Sequence, residues 1–207
     1  MPAPLFVLAS ASPRRRDLLA ALGLSYVVEP AGVDETVPDD WGPERLVTHL
    51  AEAKARAVAG RRPAALVLGA DTVVVRRGRI LGKPRDRAQA ARMLEALAGR
   101  THFVYTGLCL VPPAGAEPVT DFQITEVTFS PMSEEERTWY LEIGEWEGKA
   151  GGYAVQGLGA VFILGVTGSY SNVVGLPLET FYRLLDRAGY RLRDFVDPTA
   201  SRSRWKE

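Results

Sequence analysis

The run Ser10-Ala11-Ser12-Pro13-Arg14-Arg15-Arg16 and the acid Asp71, set between apolar residues, are the positions whose types and spacing best suit chemistry. The run leaves a short apolar segment, Leu5–Leu8, and its proline suits the first turn of a helix. A loop passing from strand to helix presents free backbone N–H groups, and the helix dipole favours an anion there. Ser10 and Ser12 add hydroxyl donors, and Arg14 and Arg15 can grip phosphate oxygens with two hydrogen bonds each. The plainer reading is a capped helix with solvated arginines. It leaves unexplained why positive charge crowds a first turn, where it opposes the dipole. On these residues alone the two readings stand level.

Asp71 falls between Leu66-Val67-Leu68 and Val73-Val74-Val75. A carboxylate there is costly unless it is hydrogen-bonded, paired or bound to metal. It could serve as a general base or metal ligand at the end of a buried strand, or be a turn aspartate at a kink eased by Gly69. Lys54 shares a helical face with Val47, Leu50, Ala51 and Val58, an odd place for an ammonium group unless it snorkels past the core edge. Lys83 sits in a Gly82-Lys83-Pro84 turn and Glu35 in an acidic loop, where each could be merely solvated. The glycines from Gly148 to Gly157 suggest backbone approaching a ligand, with a flexible surface turn as the alternative. Gln156 within them offers both a donor and an acceptor, suited to reading the edge of a base.

Alternating strands and helices must hold these groups. Leu5–Leu8 reads as a doubly buried strand, followed by a helix from Pro13 that carries Leu18, Leu19 and Leu22 and stops at Gly23. A strand at Tyr26–Val28, a polar loop and a helix opened by Pro43 come next. The two apolar runs flanking Asp71 lead into a hairpin at Arg76–Arg79. A third helix begins at Asp86, two strands are expected near His102–Val111 and Ile124–Phe129, and Ser133 to Glu136 has the form of a capping box. The chain then gives a strand at Ala160–Leu164 and a last helix with Leu178, Phe181, Tyr182 and Leu185 on one face. This is an α/β fold with a mixed sheet. Residues 1–197 read as a single catalytic domain and 198–207 as a polar C-terminal tail.

Bulk properties narrow the class. The chain has 207 residues, 46% hydrophobic and 24% charged, which suits a soluble domain with a real core. A net charge of +0 gives no general attraction to nucleic acid or to an anionic membrane. The one cysteine, Cys109, has no partner in the chain, and no signal peptide or membrane span is evident, so a cytoplasmic protein is expected.

In order along the chain, Leu8-Ala9-Ser10-Ala11-Ser12-Pro13-Arg14-Arg15, Glu52-Ala53-Lys54-Ala55, Gly69-Ala70-Asp71-Thr72, Gly82-Lys83-Pro84, Lys149 to Gly157 and Val174-Gly175-Leu176-Pro177 resemble the motifs of the Maf family of nucleoside triphosphate pyrophosphatases. The resemblance implies an elongated mixed sheet with two lobes around a central cleft, like that of the inosine triphosphate pyrophosphatases. It implies cleavage between the α- and β-phosphates with a divalent cation (Mg, Mn or Co), in a homodimer. Asp71 would match the catalytic acid that activates water and, with Glu35, would help hold the metal. Ser10, Arg14, Arg15, Lys54 and Lys83 would match the groups around the triphosphate. Arg14, Thr72 and Gln156 resemble the branch associated with dTTP, UTP and some modified pyrimidine nucleotides. A nucleotide-binding regulator of cell division without significant catalysis is the other role the resemblance implies.

Overall fold

The computed structural model describes residues 3–38, 40–113 and 116–196, so the expected tail at 198–207 lies outside the described residues. Its centre is β3 (Leu66–Arg76), paired along its length with β5 (Thr101–Val111), which pairs in turn with β6 (Val119–Phe129) and then β7 (Ile163–Thr167), all antiparallel. On its other side β3 pairs in parallel with β1 (Phe6–Leu8), which carries β2 (Val27–Val28), and antiparallel with β4 (Arg79–Leu81). The sheet is therefore mixed, as the sequence leads one to expect.

The two apolar runs around Asp71 are not separate elements. Residues from Val67 to Val75 pair one for one with β5 from Val111 to Phe103, and Asp71 stands mid-strand opposite Gly107. The carboxylate has a partner in Lys54, so no kink is needed to expose it. Two other boundaries and one added helix differ from expectation. β6 starts five residues earlier than Ile124, its half-buried residues alternating too weakly to declare a strand. Residues 158–162 form a 3₁₀ turn before β7, which runs over Ile163–Thr167 rather than Ala160–Leu164. A short helix, α5 (Tyr170–Val174), stands between β7 and the last helix without a periodic signal to announce it.

The other helices are α1 (Pro13–Ala21), α2 (Pro43–Ala59), α3 (Arg87–Leu97), α4 (Glu134–Ile143) and α6 (Leu178–Arg187). Asp86 caps α3 by accepting from the Gln89 N–H, and Ser133 with Glu136 forms the expected capping box on α4. Ser12 precedes α1 but makes no side-chain cap. On α6, Leu184 joins Phe181 and Leu185 in the core while Tyr182 is exposed, so the buried stripe is rotated from the one expected.

Alternation along β3 divides its side chains between two faces. Val67, Val73 and Val75 pack with residues of α2, whereas Leu66, Leu68 and Ala70 face the cluster holding Leu19, Phe181 and Leu184, and Val74 faces a second cluster around Leu94, Phe129 and Tyr140. These two clusters, at opposite ends of one sheet, are the two lobes.

α2 lies directly on the sheet because two glycines let it. A Cβ at Gly69 would stand 2.1 Å from the Ala51 carbonyl oxygen, and one at Gly107 2.3 Å from that of Val47. Both are far inside contact distance, so only glycine permits this approach.

Candidate active site

The cleft opens where the sheet is interrupted. Pairing on the β1 side of β3 ends at Leu68 and resumes with β4 at Val74, leaving Gly69–Val73 paired only to β5. Through this gap Asp71, from one face, and Thr72, from the other, both line a cavity of about 490 Å³, of the size that holds small ligands. Its walls include Ser10, Arg14, Arg15, Glu35, Lys54 and Lys83 as well, so the segments named from sequence converge on one place. Gln156 does not. It is exposed and outside the lining, although its neighbours Tyr153, Ala154 and Val155 are in it.

Lys54 is carried inward by the buried stripe of α2 and by the close glycine contacts. Its Nζ donates to Asp71 Oδ1 at 2.6 Å and lies 2.7 Å from Glu35 Oε1. Lys54 and Asp71 are both buried, while the Glu35 side chain is about half exposed at 49%. Glu35 reaches the site from the loop after β2, where Asp34 Oδ1 accepts from the Thr36 N–H and hydroxyl in a local turn. Burial works to raise the Glu35 carboxyl, but the Lys54 hydrogen bond and charge, with Lys83 and Arg15 beyond, outweigh it and hold the group below its ordinary value.

The two arginines that look equivalent in sequence are not. Arg15 is buried and spends its guanidinium on the protein: Nε donates to the Gly175 carbonyl at 2.8 Å, Nη1 to Ser10 Oγ at 3.0 Å and to the Ala70 carbonyl at 2.9 Å, and Nη2 to Thr72 Oγ1 at 3.0 Å. The Ala70 carbonyl lies in the gap of β3, so Arg15 fills a place a neighbouring strand would otherwise take. Burial pulls its pKa down, against the pull of Asp71. Arg14 is half-buried, and neither it nor Lys83 makes an ion pair among the described residues. Burial lowers the Arg14 pKa as well.

Thr72 is held from behind by residues that the sequence does not single out. Thr106 Oγ1, fully buried on β5, is 2.9 Å from Thr72 Oγ1 and donates to the Asn172 carbonyl at 3.3 Å. Since Thr106 gives its proton to Asn172 and Arg15 donates to Thr72, the Thr72 hydroxyl must donate to Thr106. Thr106 had a signal, a polar residue in the apolar alternation of Val104, Leu108 and Leu110. Asn172, in the five-residue helix Tyr170–Val174, had none.

Glu35 and Asp71 are hard oxygen donors meeting at one point, a set suited to a cation such as Mg²⁺ that takes one or two carboxylates and fills its other positions with phosphate and water. Among the described residues no group of three or more acids, histidines or cysteines forms a self-sufficient metal cage.

Residues 5–188 match the family model described as Maf-like protein. The chain belongs to the Maf family. Maf relatives agree along its length. The chain is 51% identical to a dTTP/UTP pyrophosphatase of Pelotomaculum thermopropionicum, over 90% of this chain and 97% of that one. It is 53% identical to a dTTP/UTP pyrophosphatase of Moorella thermoacetica, over 86% and 92% of the two chains. Among solved structures, a HAM1 protein from Coxiella burnetii superposes with a TM-score of 0.42 at 20% identity, covering 64% of this chain and 75% of the other. The family assignment rests on the sequence relatives. No helix among the described residues is long and apolar enough to cross a membrane.

Proposed function

We propose that this Maf protein hydrolyses dTTP and UTP, and modified pyrimidine nucleotides of the same shape, to the nucleoside monophosphate and pyrophosphate. The observation that carries this reading is the convergence of Asp71 and Glu35 on Lys54, inside a cleft that also presents Arg14 and Lys83, neither of which makes an ion pair among the described residues. The relatives named dTTP/UTP pyrophosphatase, about half identical over most of the chain, supply the substrate class.

In this mechanism the triphosphate lies along the cleft between the Ser10–Arg14 turn and Lys83. The N-terminal turn of α1, Arg14 and Lys83 bind phosphate oxygens and stabilise the charge that builds on the departing pyrophosphate. Asp71 accepts a proton from the attacking water, whose oxygen bonds to the α-phosphorus as the bond from that phosphorus to the bridging oxygen breaks. Lys54 keeps the Asp71 and Glu35 carboxylates aimed at one point. A divalent cation (Mg, Mn or Co), held by Glu35 and Asp71, would supply Lewis-acid charge neutralisation at the phosphates.

Thr72 and Gln156 set the base. The Thr72 hydroxyl has committed its proton to Thr106, so it offers a base an acceptor, the complement of the N3–H of uracil and thymine. Gln156 meets the same edge when the Val155–Gly157 segment closes on the ligand. The protein works as a cytoplasmic homodimer. A screen of canonical and modified triphosphates, read by pyrophosphate release with Mg²⁺, Mn²⁺ or Co²⁺, tests the proposal. Turnover led by dTTP and UTP is the expected result, and no turnover of any of them defeats it.

A further inference from the structure

Part of the cleft wall is made by Tyr153, Ala154 and Val155, in a segment with little regular structure of its own. One acid holds that segment in place. Glu145 Oε1 accepts from the Leu158 N–H at 2.9 Å, and Oε2 accepts from the Gly159 N–H at 2.8 Å and from the Tyr140 hydroxyl at 2.6 Å. The Tyr140 oxygen in turn accepts from the Ala154 N–H at 3.2 Å. Burial works against the charged carboxylate, but the Tyr140 hydroxyl and the two N–H groups prevail and its pKa is lowered. Gly157 completes the fit, since a Cβ there would stand 1.7 Å from Glu145 Oε1.

These bonds fall on both sides of Gln156. Ala154 is fixed before it, through Tyr140, and Leu158 and Gly159 after it. Only Val155–Gly157 is left between the anchors, a span long enough to move one exposed side chain and too short to let the wall drift.

We infer that Glu145 is a positioning residue for substrate recognition: it staples the wall segment from Ala154 to Gly159 so that Tyr153–Val155 shape the nucleotide site and Gln156 is presented at its edge. Glu145 lines no part of the cleft and touches no reacting atom, so it acts through the segment it holds. An amide cannot replace the carboxylate, because the three donors converging on two oxygens would meet an NH₂ at one of them. The inference rests on the proposed nucleotide-hydrolysing function of the same cleft.

The test compares wild type with Glu145→Gln and, independently, Gly157→Ala, whose methyl group pushes the carboxylate aside. The measurements are kcat and KM for UTP, affinity for α,β-methylene-UTP, and hydrogen exchange of segment 153–159. Both variants should raise KM and the analogue's Kd about tenfold or more, change kcat by less than about threefold, and speed exchange in that segment alone. If either folded variant exchanges faster there while KM and analogue affinity stay at wild-type values, the staple is merely structural and the inference falls. A fall in kcat at unchanged KM overturns it too. Should wild type turn over no nucleotide, the functional proposal fails by itself, and analogue affinity with exchange still decides whether Glu145 positions a binding site. If Glu145→Gln does not fold, Gly157→Ala decides between the same outcomes.

Discussion

Lys54 Nζ lies 2.6 Å from Asp71 Oδ1, a contact made by the C-terminal half of α2 pressing on the middle of β3. Glu35 completes the trio at 2.7 Å from the same nitrogen. Removing the ammonium leaves two acids facing each other, one of them buried. Lys54→Met should therefore lower kcat at least a hundredfold and destabilise the fold by about 3 kcal/mol, the usual cost of breaking a buried pair. Steady-state kinetics and a denaturant titration check both halves.

The helix reaches the strand only across Gly69 and Gly107. Gly69→Ala places a methyl group against the Ala51 carbonyl and forces α2 outward, carrying Lys54 away from Asp71. Overpacking of this kind costs about 1–3 kcal/mol. A lower melting temperature with a larger relative loss of kcat is expected, and unchanged kcat in a folded variant would show that the close approach does not serve the site.

Arg14 and Arg15 should separate cleanly under mutation. Arg15→Lys loses the planar fork that satisfies Ser10, Ala70, Thr72 and Gly175 together, so stability should drop along with activity. Arg14→Ala should leave the melting temperature nearly unchanged and raise KM roughly ten- to a hundredfold, as loss of a charge-assisted hydrogen bond of about 1.5–3 kcal/mol implies.

His102 gives the fold a pH dependence of its own. It is fully buried, 2.8 Å from the Tyr153 hydroxyl, and burial lowers its pKa from 6.5 to about 4. Below about pH 6.5 the unfolded chain takes up a proton that the folded chain refuses until about pH 4. Its share of stability is thus fully present above 6.5 and lost as pH falls through that window, by up to roughly 3 kcal/mol. Urea midpoints from pH 7.5 to 4.5 should show this slope, and His102→Gln should flatten it.

Much of the fold is legible in the sequence because strong local signals agree with it: Pro43 and the stripe Val47, Leu50, Ala51 and Val58 specify α2, and Ser133 with Glu136 specifies the start of α4. Lys54 is legible as an anomaly on that stripe, but its partners are not, since nothing local says which strand a helix will cover. Asp71 looks like the end of a strand because a carboxylate interrupts an apolar run, and the lysine that lets it stay inside comes from another element. The difference between Arg14 and Arg15 is invisible in sequence for the same reason. The acceptors that consume Arg15 are the Ala70 carbonyl exposed by a gap in the sheet and the Gly175 carbonyl far along the chain.

The role proposed for Asp71 is to activate water in a site that binds a pyrimidine triphosphate. It is tested most directly by measuring pyrophosphate release from dTTP and UTP, with a divalent cation, by wild type and by Asp71→Asn, alongside equilibrium binding of the same nucleotides. Robust release by wild type, a loss of about a thousandfold in the variant, and nucleotide affinity within a few-fold of wild type are expected. Equal rates in the two proteins, or no release by either, would contradict it.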